Sequence, residues 1–162
     1  YADVSKWSFA LQIYFLGSRF RQVKEIRESG KNIVQDRTIY EDAHIFAENL
    51  YDMNLLSDRD FNNYSSVFNL MKSFVSAPDL LIYLKSDVPN LVKKIYKRGR
   101  DYEATISIEY LSKLNQKYEK WISTYNEGKL LVIEVDDLDF VERPEDFGYI
   151  LERIENQMHG LF

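Results

Sequence analysis

Asn32-Ile33-Val34-Gln35-Asp36-Arg37-Thr38-Ile39-Tyr40-Glu41-Asp42 is the stretch on which the fold turns. It reads as a short buried strand over 32–36 that runs straight into an acid, a base and a hydroxyl. A second carboxylate, Asp42, follows on the first turn of a helix. In open α/β sheets, ligands sit just beyond the carboxyl ends of strands, so a charged cluster at that point is placed for chemistry. An ordinary ion pair at a strand end is the competing reading. A carboxylate there can hold Mg²⁺ through water, because that ion keeps much of its hydration shell. A neighbouring arginine can stabilise charge developing on transferring phosphoryl oxygens.

Outward from this point, helices alternate with strands. Apolar groups at helical spacing (Val4, Trp7, Leu11, Phe20, Val23, Ile26) predict a helix over 3–28, ended by Ser29-Gly30. Further helices are predicted over 40–51, 58–75, from Pro89 to about Lys97, 107–126 and 144–158. Leu80 to Leu84 and Leu130 to Val135 read as buried strands, which makes three with 32–36. Such alternation implies βαβ crossovers and a parallel sheet in a single domain, 1–162.

The composition narrows the function. The chain has 162 residues, 45% of them hydrophobic, enough for one domain with a real core. A net charge of −5 argues against a general nucleic-acid binder. Cysteine is absent, so no disulfide or thiolate metal site exists, and a reducing, cytoplasmic setting fits. The apolar runs are strand-length and too short to span a bilayer. His44 and His159 are far apart, and Asp136-Asp137-Leu138-Asp139 lacks a calcium-loop pattern.

Three groupings of residues stand out. Gln12 and Arg19 lie seven apart, and Tyr1 eleven before Gln12, so all three return to nearly one helix face, with Leu11 and Phe15 flanking. Polar groups on an apolar face are costly unless they meet partners, whether a ligand or some backbone group. Asp42 and Phe46 are one helical turn apart, a carboxylate above an aromatic plate that could equally be plain core. Lys93-Lys94-Ile95-Tyr96-Lys97-Arg98-Gly99-Arg100 is a dense cationic run in an acidic chain. It could be a solvated helix face, but arginine gives planar multidentate phosphate contacts.

Together, Trp7-Ser8-Phe9-Ala10-Leu11-Gln12, Asp36-Arg37-Thr38 with Asp42, Lys97-Arg98-Gly99-Arg100-Asp101-Tyr102-Glu103 and Ile108-Glu109-Tyr110-Leu111 resemble the deoxynucleoside kinases along the whole chain. Within that family the likeness is to the bacterial deoxyadenosine/deoxyguanosine kinase branch. The resemblance implies a P-loop-type α/β kinase with a five-stranded parallel sheet flanked by helices, paired as a homodimer through a helical bundle. It implies ATP-dependent phosphorylation of the 5′-hydroxyl of a purine deoxynucleoside in nucleotide salvage, with Mg²⁺.

Roles follow by the same resemblance. Gln12 would hold the base edge, Arg19 and Asp42 would complete its recognition, and Phe46 would stack on it. Leu11, where animal relatives carry Phe, and Phe15 would line that site. Tyr1 and Glu103 would bind the sugar 3′-hydroxyl. Asp36 would help hold Mg²⁺ and Arg37 would stand near the 5′-oxygen. Lys94, Arg98 and Arg100 would close over the donor phosphates, with Asp139 and Phe140 near the donor's adenine. Thymidine-preferring relatives lack the Arg19–Asp42 pair, which favours deoxyadenosine, deoxyguanosine or deoxycytidine.

The family opens with a strand, a Gly-rich Lys-Ser/Thr loop and a Glu-Pro segment, and these are not in this sequence. The chain therefore reads as the body of such a kinase without its N-terminal part, expected to fold poorly and to be inactive alone. Two rival readings are a nucleoside monophosphate kinase, which also places Asp-Arg at a strand end, and a non-catalytic dimerising nucleotide-binding fragment.

Overall fold

The computed structural model describes residues 4–100, 103 and 106–160. They form two compact units, Tyr1–Ser76 with Gln116–Trp121, and Ala77–Asn115 with Ile122–Phe162.

The first unit is helical. Helix α1 (Val4–Ser29) buries Ser8, Gln12, Leu16 and Val23 at spacings of four, four and seven, one face of the helix. It ends where Gly30 takes the left-handed conformation (φ 62°) that favours glycine at a helix C-terminus. A short α2 (Ile39–Glu41), a π-helical segment (Asp42–Ala47) and α3 (Glu48–Asp52) follow without a break. Ile39, Tyr40, Ala43, Ile45 and Ala47 are buried along them. Ser57 then caps α4 (Asp58–Lys72), its hydroxyl accepting from the Asp60 N–H at 3.1 Å. Tyr64 and Phe68, four apart on α4, face the core. Helix α6 (Ile108–Ser123) contributes Trp121, whose ring lies parallel to Tyr40 (6.5 Å) and His44 (6.2 Å).

One expectation fails in this unit: residues 32–36 form no strand. They are irregular, with Ile33 exposed and Val34 at 95% of its full exposure. A strand exists through its ladder, and among the described residues the only ladder joins two other segments. Alternation and β-branched content specify a segment able to pair, and here no neighbour meets it.

The second unit holds that ladder. Strands β1 (Leu81–Lys85) and β2 (Leu130–Glu134) run parallel, with Leu81 opposite Leu130 and Lys85 opposite Glu134. The predicted crossover is present, and two strands stand where three were expected. Leu131, Ile133 and Val135 alternate inward and pack with Ile150 and Ile154 of α7 (Pro144–His159). Helix α5 (Val88–Arg98) starts on Asp87, which accepts from the Asn90 N–H at 2.7 Å, and carries Pro89 in its first turn. Ile133 is 1% exposed, so Ile133→Ala is expected to cost about 2–5 kcal/mol, read as a lower urea midpoint. No helix among the described residues is long and apolar enough to cross a membrane.

Candidate active site

In the first unit, α1 and the π-helical segment supply the polar groups. Gln12 is 5% exposed, and its Oε1 has no hydrogen-bond partner. Two turns on, Arg19 reaches two ways. Its Nε lies 3.6 Å from Asp42 Oδ2, and one terminal nitrogen donates to the Asp36 main-chain carbonyl at 3.0 Å. That same nitrogen also donates to Gln22 Oε1 at 3.3 Å. Asp42 is 5% exposed, and its Oδ2 makes no hydrogen bond beyond the ion-pair contact. Burial pushes its pKa above the usual 3.8; Arg19 opposes this, Glu41 adds to it, and Arg37 opposes it. Tyr64 from α4 is 1% exposed with its hydroxyl unpartnered, and burial, then the Asp42 charge, raises its pKa. Tyr118 is pushed up to about 12, by burial first and Glu41 second.

A buried polar atom without a partner costs about 1–3 kcal/mol. Gln12 Oε1, Asp42 Oδ2 and Tyr64 Oη carry that cost within one unit. Such an arrangement is what a polar ligand would relieve. Of the three, Asp42 opens a π-helical segment, a departure from α geometry found frequently at functional sites.

Asp36-Arg37-Thr38 lies against this cluster. Arg37 adopts φ 63°, a left-handed conformation unusual outside glycine, and its guanidinium lies 4.7 Å from the centre of the Phe46 ring. Thr38 caps α2: its hydroxyl accepts from the Tyr40 N–H at 3.1 Å, and its N–H donates to Glu41 Oε2 at 2.8 Å. The Thr38 hydroxyl also donates to that Glu41 oxygen. The Asp36 side chain is exposed, and no group of three or more potential metal ligands occurs among the described residues.

The second unit carries the cationic run. Gly99 (φ 63°) closes α5, and beyond it Glu103, 8% exposed, turns to the arginines. Arg98 donates to Glu103 Oε2 through Nε (3.0 Å) and a terminal nitrogen (2.7 Å), and Arg100 approaches Oε1 at 3.5 Å. Lys94 donates to the Val135 carbonyl at 3.0 Å. Asp139 accepts from the Glu142 N–H and from Lys97, which hold its carboxyl below the usual range.

The deoxynucleoside kinase family model matches residues 1–159 of this sequence. The chain belongs to the deoxynucleoside kinase family. This kinase is 38% identical over 161 residues to the deoxyadenosine/deoxycytidine kinase of Bacillus subtilis (strain 168), covering 98% of this chain and 74% of that one. It is 38% identical over 152 residues to the deoxyadenosine kinase of Dictyostelium discoideum, covering 94% of this chain and 61% of that one. A solved structure of deoxyadenosine kinase from M. mycoides with bound dATP superposes at a TM-score of 0.78 and 31% identity, over 96% of this chain and 78% of that chain. The same enzyme with products dCMP and a flexible dCDP superposes at 0.80 and 30% identity, over 96% and 78%. The α/β kinase fold read from the sequence is thereby shown.

Of the expected site residues of this kinase, Arg19 and Asp42 meet directly, and Arg19 also holds the Asp36 backbone. Gln12 lies two turns before Arg19 on the same face of α1, and Arg37 lies over Phe46. Leu11 and Phe15 are exposed, and Phe15 packs on Tyr14 at 5.8 Å between ring centres. Glu103, expected at the sugar, is held by the two arginines expected over the donor phosphates. Phe140 packs against the β2–α7 core. Tyr1 lies outside the described residues, as do Asp101 and Tyr102 of the matching motif. Sequence reasoning passed over Tyr64 and Glu41. Nothing marks Tyr64 beyond core periodicity, whereas Thr38-x-x-Glu41 is a legible capping box.

Proposed function

We propose that this kinase transfers the γ-phosphoryl group of ATP to the 5′-hydroxyl of a purine deoxynucleoside, deoxyadenosine or deoxyguanosine, in cytoplasmic nucleotide salvage. One observation carries the reading: buried acceptors on Gln12 and Asp42 await partners beside Arg19, which also grips the loop bearing Asp36 and Arg37. A carboxylate only accepts, so ionised Asp42 suits a base that presents an amino group. Adenine and guanine do so, and so does cytosine, whereas thymine does not. Deoxycytidine is therefore the second reading, supported by the name of the Bacillus subtilis relative.

The proposed division of labour follows the chemistry. Gln12, Arg19 and Asp42 bind and orient the base, with Leu11, Phe15 and Phe46 as apolar walls. Tyr1 and Glu103 select the sugar. Arg37 stabilises charge on the phosphoryl oxygens, and Arg98, Arg100 and Lys94 hold the donor phosphates, with Asp139 and Phe140 near its adenine. For Arg98 and Arg100 to do so they exchange the Glu103 carboxylate for phosphate, a like-for-like swap of anions. Mg²⁺ fits the single exposed carboxylate of Asp36, since that ion uses one or two carboxylates and otherwise water and phosphate. When bound, it would neutralise charge on the donor phosphates. We take 1–162 as one kinase domain. Exposed Trp7 and Tyr14 on α1, with Leu70 on α4, fit a homodimer paired through helices.

Steady-state phosphorylation of the four deoxynucleosides by the full-length protein tests this reading. A purine deoxynucleoside is expected to have the highest kcat/KM, with thymidine lower by at least about 10²-fold. Turnover of a nucleoside monophosphate without turnover of any nucleoside would overturn it.

A further inference from the structure

The catalytic loop is held at both ends, and one of its two clamps is made by a residue with no role in the proposed chemistry. Arg37 sits at φ 63°, a conformation costing of order 1–3 kcal/mol for a residue with a side chain, so its surroundings must hold it there. On the N-terminal side, Arg19 donates to the Asp36 carbonyl at 3.0 Å. On the C-terminal side, Glu41 accepts from the Thr38 N–H at 2.8 Å and from the Thr38 hydroxyl, while Thr38 accepts from the Tyr40 N–H.

We propose that Glu41 is a positioning residue for phosphoryl transfer: its buried carboxylate fixes Thr38 and thereby holds Arg37 where it can meet the transferring group. The inference rests on the proposed role of Arg37. Two features separate this clamp from an ordinary helix cap. Glu41 is 8% exposed, so its carboxylate is spent on Thr38 out of water. The residue immediately before the capping Thr38 is the strained Arg37.

Losing the clamp should let the Arg37 backbone relax and move the guanidinium. A misplacement of about 1 Å can cost about 10²-fold in rate. The Glu41 carboxylate spends its hydrogen bonds on Thr38 and reaches Asp42 only through its charge, so base binding should largely persist. In the full-length protein, Glu41→Ala is expected to lower kcat by about 10²-fold with KM for deoxyadenosine changed less than about threefold. Glutamine also closes a capping box, so Glu41→Gln should recover kcat to within about fivefold of the parent. Thr38→Val, which keeps the N–H donor and removes the hydroxyl, should fall between them. It remains informative if Glu41→Ala does not fold.

Arg37→Ala serves as the reference. If Arg37→Ala lowers kcat while Glu41→Ala and Thr38→Val leave it within twofold, the positioning role is wrong and the functional reading stands. If Arg37→Ala itself has no effect, the functional reading fails first. Equal losses in Glu41→Ala and Glu41→Gln would also overturn the positioning role.

Discussion

Arg37→Ala is expected to lower kcat by about 10³-fold while leaving KM for the deoxynucleoside nearly unchanged. Removing one preorganised donor from a charge-stabilising site costs about 10²–10³-fold, and an arginine serving transferring phosphate is worth about 10³-fold or more. The side chain is exposed and lies over the face of Phe46, so the fold has little to lose. The left-handed backbone sharpens the test. Glycine adopts φ 63° without strain, so Arg37→Gly should be at least as stable as Arg37→Ala, yet equally slow. Arg37→Lys should recover little, because an ammonium lacks the planar fork that matches phosphate oxygens. Kinetics paired with urea denaturation separate these effects, and a kcat within threefold of the parent in Arg37→Ala would remove Arg37 from the chemistry.

Asp42→Asn should separate activity from stability. Burial raises the Asp42 pKa, and Arg19 offsets only part of that. A carboxylate whose folded pKa lies above its unfolded value contributes most when protonated, at low pH. That contribution is lost as pH rises through the folded value. Near neutral pH the ionised carboxylate is therefore a net cost to the fold. Asparagine removes that cost, so the variant should be no less stable than the parent at pH 7. Function should move the other way. A site built to accept from a base amino group rejects mismatched partners by large factors, and replacing one acceptor oxygen with a donor should cost at least about 10²-fold in kcat/KM for deoxyadenosine. On the acid side, kcat/KM of the parent should fall as Asp42 takes up its proton, at a pH above that of an ordinary aspartate. That limb should be missing from Asp42→Asn. A variant both unstable and active would contradict the assignment.

The parts of the fold legible in the sequence are those whose specification is local. Ser57 and Asp87 cap α4 and α5 as their side chains require, and Pro89 and Pro144 sit in the first turns of α5 and α7. The alternation at Leu131, Ile133 and Val135 reports a half-buried strand because it depends only on which face meets the core. Residues 32–36 mislead for the opposite reason: Ile33 and Val34 have the pattern of a strand, but a ladder needs a neighbour that local pattern cannot supply. The π-helical turn at Asp42–Ala47 is likewise invisible, since hydrophobic period hardly distinguishes one wider turn.

The candidate site divides similarly. Helical spacing placed Gln12 and Arg19 on one face, and chain proximity brought Asp36 to Arg37. The Arg19–Asp42 pair needed the family resemblance, because 22 intervening residues and a helix end separate them. Glu103 beside Arg98 and Arg100 was not foreseen, since the left-handed Gly99 that turns the chain back is a tertiary choice as much as a local one.

A crystal structure of the full-length enzyme with deoxyadenosine bound tests the central claim most directly. The account predicts the adenine amino group within about 3 Å of Asp42 Oδ2, the Gln12 amide on the same base edge, and the 5′-oxygen turned toward Arg37. An adenine bound elsewhere, with Gln12, Arg19 and Asp42 untouched by ligand, would contradict it.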